Sequence, residues 1–367
     1  MRVAIAPSLS YLRQFGCVSG GLLPIAKALY RHLPECGIEV TEDPERADVF
    51  HSYSTGQWFP ATVYTNEGMF REPYKFEHAW QGPCHKAICG QLETAKAVTA
   101  PSEFCAGLCR PWRRDIEVVR KGIEFDEWQP GETQPYVLWA KSSLVVYRAY
   151  EAWQKAAAVA SLASDVEFVF TVWDGKVPRP DNVKVIGSLP FEEIVPWMRN
   201  AAAYLLTTEE PGACQPLEAM ACGVPVAGLP IGCNPEYVRS GTDGLLWDDL
   251  TEAIHEVLAK RDWYGRNARE RASGFQWRDI IPRYAELYRT FATEKPEPAL
   301  PSPPPAAKAE TALPSPLPEV AILGSPPMAQ ARDDGIIKWP GERQRGDMSE
   351  RLKSVLDRRA GMRRKGL

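Results

Sequence analysis

Two glutamates frame the stretch of the chain whose residue types best suit chemistry. The apolar strand AAYLLTT ends at Glu209 and Glu210, a Gly-containing loop follows, and Pro216 opens the predicted helix PLEAMACG, which carries Glu218 and ends at Gly223. Proline in the first turn and glycine at the end are typical helix boundaries. The free backbone N–H groups at the start of such a helix suit an anion such as a diphosphate. Two carboxylates beside that anion suit hydroxyl donors, such as those of a sugar and a ribose.

Strands that alternate with helices must position this stretch. Residues 1–293 divide into two α/β halves with a hinge near Gln129–Pro135. In the first half we predict strands in RVAIAP, ADVFHSYS, TVYTNEG and AVTA, and in the second half in YVLWAK, VEFVFTVW, VKVIGS and AAYLLTT. The alternation predicts parallel sheets covered by helices on both faces. Ligands of such sheets bind at the carboxyl ends of the strands, here in the cleft between the halves.

The ordered motifs resemble the family 4 retaining glycosyltransferases, whose GT-B fold has two Rossmann-like parallel-sheet domains that face a cleft. The spacing of Glu210 and Glu218 resembles their E-x7-E signature. The other similar segments are GG at Gly20–Gly21, AVTAPSEF at 97–104, IEVVRKGIEFDEW at 116–128, VKVIGSLPFEEI at 183–194 and FQWRDIIPRYAELY at 275–288. The resemblance implies an acceptor domain at 1–130, a donor domain at 131–275 and a helix at 276–293 that crosses back to the first domain.

The resemblance also implies an activity and a set of binding residues. A sugar would pass, with retention, from a UDP- or GDP-sugar to a hydroxyl acceptor, with no metal ion required. Glu218 would bind the ribose hydroxyls and Glu210 the hydroxyls of the transferred sugar. The residues implied for the phosphates are Gly20, Gly21, Gly212, Ala213, Cys214, Gln215, Pro216 and Leu217, and those implied for the base are Gly187, Ser188 and Leu189 with Trp173–Asp174.

The chain departs from this family pattern at three positions. Lys141 stands where the family has an arginine, and Val146 stands where it has a lysine, although Arg148 lies two residues further on. We expect Lys141 and Arg148, together with Glu210, to be the catalytic residues. A lysine lacks the bidentate fork of arginine.

The third departure concerns the acceptor side. Asn66 occupies the position of a family histidine, and an asparagine can hydrogen-bond a hydroxyl but cannot carry a proton. Glu67 and His51 are the neighbouring candidates for the acceptor site. An alternative interpretation of His51 is a hydrogen-bonded histidine buried at a strand.

The proline content and charge of the chain are uneven. Of 33 prolines, 11 lie within the 33 residues 295–327, so we predict a disordered linker at 294–337. Residues 338–367 hold ten Lys/Arg and four Asp/Glu, a balance of +6 in a chain of net charge −4, so the remainder carries −10. This basic tail, with one short helix after Asp347, suits contact with DNA or another anionic surface. The overall charge by itself argues against a generally basic nucleic-acid binder.

Composition and spacing exclude several other classes. No run of 18 apolar residues could span a membrane, and MRVAIAPSLSYLRQFG lacks the pattern of a secretory signal, so we expect a cytoplasmic protein. Nine scattered cysteines argue against a disulfide framework. The spacing of Cys84, Cys89, Cys105 and Cys109, with His78 and His85 nearby, does not match a zinc site.

Several functions remain open from the sequence. The acceptor could be a glycan, a lipid-linked or small molecule, or a hydroxylated base in DNA, for which the basic tail is the argument. A protein of this fold could also be a sugar-nucleotide epimerase or a phosphorylase. The departures at Asn66 and Val146 are the argument for a third function, an inactive nucleotide-sugar-binding protein.

Overall fold

The computed structural model of the protein describes residues 1–14, 21–54, 61–68, 81–141, 149–189, 191–212 and 214–292. Within these ranges the strands form two six-stranded sheets in which every pairing is parallel. The predicted linker (294–337) and basic tail (338–367) lie outside the described residues. No helix in the described part of the chain is long and apolar enough to cross a membrane.

The first sheet has the order β2-β1-β3-β4-β5-β6 and the second has the order β12-β11-β10-β7-β8-β9. The strands of the first sheet are β1 (Arg2–Ala6), β2 (Glu39–Thr41), β3 (Val49–Ser54), β4 (Val63–Asn66), β5 (Ala97–Ala100) and β6 (Ile116–Val118). Those of the second are β7 (Tyr136–Trp139), β8 (Glu167–Phe170), β9 (Val183–Val185), β10 (Ala203–Leu206), β11 (Val226–Gly228) and β12 (Gly244–Leu246).

Helices cover both faces of each sheet. They are α1 (Leu9–Gln14), α2 (Leu22–His32), α3 (Gln81–Thr94), α4 (Glu103–Cys109), α5 (Ala149–Leu162), α6 (Phe191–Asn200), α7 (Cys214–Ala221), α8 (Asn234–Tyr237), α9 (Leu250–Ala259), α10 (Arg261–Ser273) and α11 (Trp277–Ala292). Because both faces are covered, the central strands β4, β5 and β10 are buried along their whole length. The sequence expectation of two parallel α/β sheets is confirmed.

Helix α7 begins two residues earlier than the sequence predicts. It starts at Cys214, and Pro216 is its third residue. Proline is tolerated there because the first N–H groups of a helix have no partner within the helix. The helix ends where the chain turns at Gly223, whose φ is +70°, with hydrogen bonds from Gly223 N to Met220 O (2.9 Å) and from Val224 N to Ala219 O (2.9 Å).

The last helix packs on the first sheet, although the chain reaches it from the second. The crossing is fixed where Ile123 N donates to Phe275 O (2.7 Å) and Trp277 N donates to Ile123 O (3.2 Å). From there α11 buries Trp277, Ile281 and Tyr288 in the same core as β1, β3 and α2. The two halves are therefore joined by two chain crossings.

Hydrogen bonds also join the carboxyl edge of the first sheet to the second half. Ser102 Oγ, in the turn after β5, donates to Pro211 O (2.6 Å). The carboxylate of Glu236, in α8, accepts from Glu103 N (3.0 Å) and Phe104 N (2.9 Å) at the start of α4. A carboxylate at a helix N-terminus satisfies free N–H groups and is favoured by the helix dipole.

The hydroxyl of Tyr237 makes a second connection between the halves. It donates to Pro101 O (2.8 Å) and accepts from Lys121 N (3.2 Å), and its side chain is fully buried. One phenol from α8 therefore satisfies two backbone groups, one in the loop after β5 and one in the loop after β6.

We expect the Tyr237→Phe substitution to lower the free energy of unfolding by about 1–3 kcal/mol, because it leaves a buried carbonyl and a buried N–H without their partner. Chemical denaturation of the two proteins measures the difference. Tyr264→Phe is the matched control, since Tyr264 is also buried but its hydroxyl makes no hydrogen bond within the described residues. Equal stability of Tyr237→Phe and wild type would contradict the connecting role.

Candidate active site

Two predicted catalytic residues meet at the carboxyl edge of the second sheet. Lys141, which follows β7, donates from Nζ to Glu210 Oε1 at 2.6 Å, and the two side chains are 13% and 16% exposed. Thr171 fixes the backbone of Lys141, because its Oγ accepts from Lys141 N (2.8 Å) and donates to Lys141 O (2.6 Å). The structure thus places a cation and a carboxylate together in a position sheltered from solvent.

Gly232 supports the Glu210 backbone, and sequence reasoning missed it. Its φ is +61°, and a β-carbon there would lie 2.7 Å from Glu210 O and 2.8 Å from Glu209 Cγ. The next residue, Cys233, donates from its N–H to the same carbonyl (2.9 Å). A side chain at position 232 would therefore displace Glu210. The glycine within LPIGCNP, after an apolar strand, is the only sequence signal of this contact.

Glu218 lies on α7, opposite the helix face that enters the core. The buried face consists of Pro216, Leu217, Ala219, Met220 and Ala221. Burial raises the pKa of Glu218 to about 7, and the charge of Lys121 opposes this shift. Glu218 is four residues after Cys214, so the two side chains lie on the same side of the helix. Its neighbour Gln215 accepts a hydrogen bond from the Tyr204 hydroxyl at 3.1 Å.

Glycines allow the two halves to approach closely at this edge. A β-carbon at Gly21, just before α2, would lie 3.6 Å from Cys214 Sγ at the start of α7. A β-carbon at Gly68 (φ +138°) would lie 3.3 Å from Pro211 Cγ, and one at Gly212 would lie 2.8 Å from Pro101 Cβ. The loop before α7 therefore faces the start of α2 and the strand ends of the first sheet.

A second ion pair lies on the first-half side of this contact. Glu67, after β4, pairs with the ammonium of Lys121, after β6, and their side chains are 11% and 8% exposed. Burial raises the pKa of Glu67, and Lys121 opposes the shift. Burial would lower the pKa of Lys121, but the neighbouring Cys214 thiol and Glu67 carboxyl group raise it well above its ordinary value.

Sequence reasoning did not single out Lys121. The segment IEVVRKGIEFDEW shows a basic residue directly after a strand and before a glycine. Such residues lie at the ligand-binding edge of a parallel sheet. A basic residue after a strand was therefore the available sequence signal. Arg120 has nearly the same position, so the sequence alone does not show which of the two side chains enters the site.

Of the three acceptor-side candidates, Asn66 and Glu67 lie together at the end of β4. Asn66 is fully buried, its Oδ1 accepts from Gly68 N (2.6 Å), and its Nδ2 has no hydrogen-bond partner among the described residues. A buried donor without a partner is costly. Asn66 is therefore suited to donate a hydrogen bond from Nδ2 to an oxygen atom of a ligand.

His51, the third candidate, lies in the core instead. Its Nε2 is 2.7 Å from Thr65 Oγ and its Nδ1 is 2.6 Å from the Tyr288 hydroxyl, so both ring nitrogens are engaged. Burial lowers the pKa of His51 to about 3, which keeps the ring neutral. The structure therefore favours the alternative interpretation, a buried structural histidine that connects β3 to α11, over a role in binding an acceptor.

The residues expected to bind the base follow the strands β8 and β9. Gly187, Ser188 and Leu189 follow β9 after one residue, and Gly187 has a φ of +86° with no atom within 4 Å of the position that a β-carbon would occupy. Trp173 and Asp174, after β8, are fixed by hydrogen bonds from Trp173 Nε1 to Val177 O (2.8 Å) and from the Tyr150 hydroxyl to Asp174 Oδ2 (3.1 Å). Both segments lie beyond the carboxyl ends of their strands.

Three predicted site residues, Gly20, Ala213 and Arg148, lie outside the described residues. So does His78, one of the two histidines near the cysteine group. Within the described part of the chain, His, Cys, Asp and Glu side chains form no group that could hold a metal ion. Cys84, Cys105 and Cys109 are buried there as free thiols.

Comparison with solved structures defines the class of fold. Sucrose-phosphate synthase from Thermosynechococcus elongatus is 17% identical, with a TM-score of 0.60 over 79% of this chain and 98% of that one. AviGT4, a glycosyltransferase involved in avilamycin A biosynthesis, is 19% identical, with a TM-score of 0.57 over 80% and 99%. HepE from Anabaena, solved in complex with UDP-glucose, is 16% identical, with a TM-score of 0.55 over 79% and 100%. The chain has the GT-B glycosyltransferase fold.

Sequence comparison gives matches to glycosyltransferases over part of the chain. The family model described as Glycosyl transferases group 1 matches residues 150–260, which include Glu210 and Glu218. A D-inositol 3-phosphate glycosyltransferase from Geodermatophilus obscurus is 35% identical over 83 residues, and one from Arthrobacter sp. is 33% identical over 105 residues. These matches cover 21% and 26% of this chain, and they span 18% and 25% of the relatives.

The raised pKa of Glu218 predicts a pH-dependent stability. An ordinary glutamate titrates near 4.5 and Glu218 near 7, so between these values the folded protein holds a proton that the unfolded chain has lost. Stability therefore falls as the pH rises through this window. We expect Glu218→Gln, which cannot ionise, to gain on the order of 1–2 kcal/mol relative to wild type between pH 5 and pH 8. Thermal unfolding at both pH values measures the gain.

Glu132→Gln is the control for this measurement, because Glu132 is exposed in the segment before β7. We expect its stability relative to wild type to be the same at pH 5 and pH 8. A Glu218→Gln difference that does not change with pH would show that the carboxyl group is not destabilised by burial.

Proposed function

We propose that the protein is a retaining glycosyltransferase that transfers a sugar from a nucleotide-diphosphate sugar to a hydroxyl acceptor. The observation that carries the proposal is the Lys141–Glu210 ion pair, in which Glu210 lies four residues before α7, together with Glu218 on α7 itself. The match of residues 150–260 to group 1 glycosyl transferases supports it, because that segment contains both glutamates. The UDP-glucose complex of HepE supports a nucleotide sugar as donor in this fold.

The donor would bind with its diphosphate at the start of α7. The N–H groups in the first turn of α7 would bind the phosphates, although Pro216 contributes none. Gly21 would let the backbone of the first half approach the diphosphate from the other side. The carboxylate of Glu218 would accept hydrogen bonds from the ribose hydroxyls, and the loops at Trp173–Asp174 and Gly187–Leu189 would surround the base.

Lys141 and Glu210 would act on the two sides of the bond that breaks. The bond between the anomeric carbon and the diphosphate oxygen breaks, and the acceptor oxygen bonds to the same carbon from the same face. The acceptor proton passes to the departing phosphate oxygen. The ammonium of Lys141 would stabilise the negative charge of the diphosphate as it leaves, and Glu210 would hold the sugar through its hydroxyls. Arg148 remains a predicted second cation.

The acceptor is proposed only as a hydroxyl group. Asn66 and Glu67 face it in this proposal, and Asn66 Nδ2 is free to donate to its oxygen. The curated relatives are named for D-inositol 3-phosphate, but the matches span too little of their length to carry that acceptor over. A hydroxylated DNA base rests on residues 338–367 alone, and no comparison favours it. We therefore do not adopt the DNA base as the acceptor.

A screen of binding and turnover tests the proposal. We expect the purified protein to bind one of the UDP-, GDP-, ADP- or dTDP-sugars and to hydrolyse or transfer its sugar, with retention seen by NMR of the product anomer. Glu218→Ala should weaken binding of the same nucleotide roughly 10- to 100-fold, because a hydrogen-bonded carboxylate contributes about 1.5–3 kcal/mol. Glu132→Ala, on the exposed segment, should bind as wild type does.

The outcomes separate the candidate functions. Binding without turnover would identify an inactive nucleotide-sugar-binding protein, and an altered sugar on an intact nucleotide would identify an epimerase. If no nucleotide sugar binds, and Glu218→Ala behaves as wild type, the proposal is wrong.

A further inference from the structure

Lys121 reaches from the first half of the protein into the loop that precedes α7. Its ammonium lies 3.9 Å from the β-carbon position of Gly21, and its Cε lies 2.9 Å from that of Gly212. The side chain is 8% exposed and pairs with Glu67. The ammonium is thus buried where the two halves meet, between the start of α2 and the start of α7.

The main chain of Lys121 is held in place independently of its ammonium. Lys121 N donates to the Tyr237 hydroxyl (3.2 Å), which itself donates to Pro101 O (2.8 Å). The residue is therefore anchored by α8 of the second half while its strand belongs to the first sheet. Such an anchor keeps the direction of the side chain fixed relative to the loop at Gly212.

Two helix N-termini lie close to this ammonium. Helix α2 begins next to Gly21 and α7 begins at Cys214, and the N-terminus of a helix carries a partial positive charge. The ammonium adds a full charge to these two ends. A buried ammonium loses its hydration, and one carboxylate is here its direct ionic partner. The Lys121 ammonium and the N-termini of α2 and α7 are together the kind of groups that bind a doubly charged anion.

We infer that Lys121 binds the diphosphate of the donor from the first half, and that Glu67 holds the ammonium in place while the site is empty. The inference rests on the proposed function and adds a residue to it. In this arrangement Lys141 and Lys121 contact the diphosphate from opposite sides of the cleft. The alternative is a structural ion pair whose only role is to stabilise the fold.

Nucleotides that differ only in their phosphates distinguish these two roles. The probe is whichever of UDP, GDP, ADP and dTDP the wild-type protein binds, together with its nucleoside monophosphate and its nucleoside. We expect Lys121→Met to weaken the diphosphate roughly 10- to 100-fold in calorimetry while the nucleoside binds as before. Lys121→Arg should recover part of the loss. Lys260→Met, at an exposed lysine that pairs with Glu256, is the matched control.

The partner variant keeps the test decisive if Lys121→Met does not fold. Glu67→Gln frees the ammonium from its carboxylate, so we expect it to bind the diphosphate more tightly than wild type does. A structural ion pair predicts the opposite, a loss that affects diphosphate, monophosphate and nucleoside alike. If wild type binds a nucleoside diphosphate and Lys121→Met or Glu67→Gln shows that uniform pattern, the inference is wrong although the proposed function stands. If wild type binds none of the four, the proposed function fails.

Discussion

The contact between the carboxyl edges of the two sheets is the interaction on which the rest of the structure depends. Tyr237 satisfies backbone groups in two loops of the first half, and Glu236 satisfies the start of α4. Neither half alone brings Gly21 to Cys214 or Gly212 to Pro101. The proposed donor would be bound from both sides with water excluded, so the proposed function requires these edges to approach.

The electrostatics of the site follow from that approach. Among the described residues, the partly buried ammonium of Lys141 lies beside Glu210, and the buried ammonium of Lys121 lies beside Glu67. A buried charge without such a partner would destabilise the fold by several kcal/mol, so the empty site balances its own cations. An incoming diphosphate would compete with these carboxylates for the ammonium groups. In the proposed function these acidic residues would therefore affect both the stability of the empty site and the strength with which it binds an anion.

Close packing explains why small residues lie where the loops meet. Gly212 and Gly232 leave no room for a β-carbon against Pro101 and the Glu210 carbonyl. The geometry of Glu210 thus depends on a turn that lies more than twenty residues later in the chain. His51 shows the reverse case, since a residue type associated with catalysis is used here to join β3 to α11 through Tyr288 and to β4 through Thr65.

The sequence by itself predicted two α/β halves and the strands β1, β3, β4, β5, β7, β8, β9 and β10 in order, because apolar runs, proline and glycine act through neighbours close in the chain, but it did not predict the short strands β2, β6, β11 and β12. It also singled out Glu210 and Glu218 as candidate site residues and predicted an anion site at α7, for the same reason. Only the tertiary structure showed that Lys121, and not Arg120, pairs with Glu67 where the halves meet, that Lys141 pairs with Glu210, and that His51 lies in the core. These choices depend on contacts between residues that are distant in sequence. Local pattern carries no information about which side chains the packing of two sheets brings together.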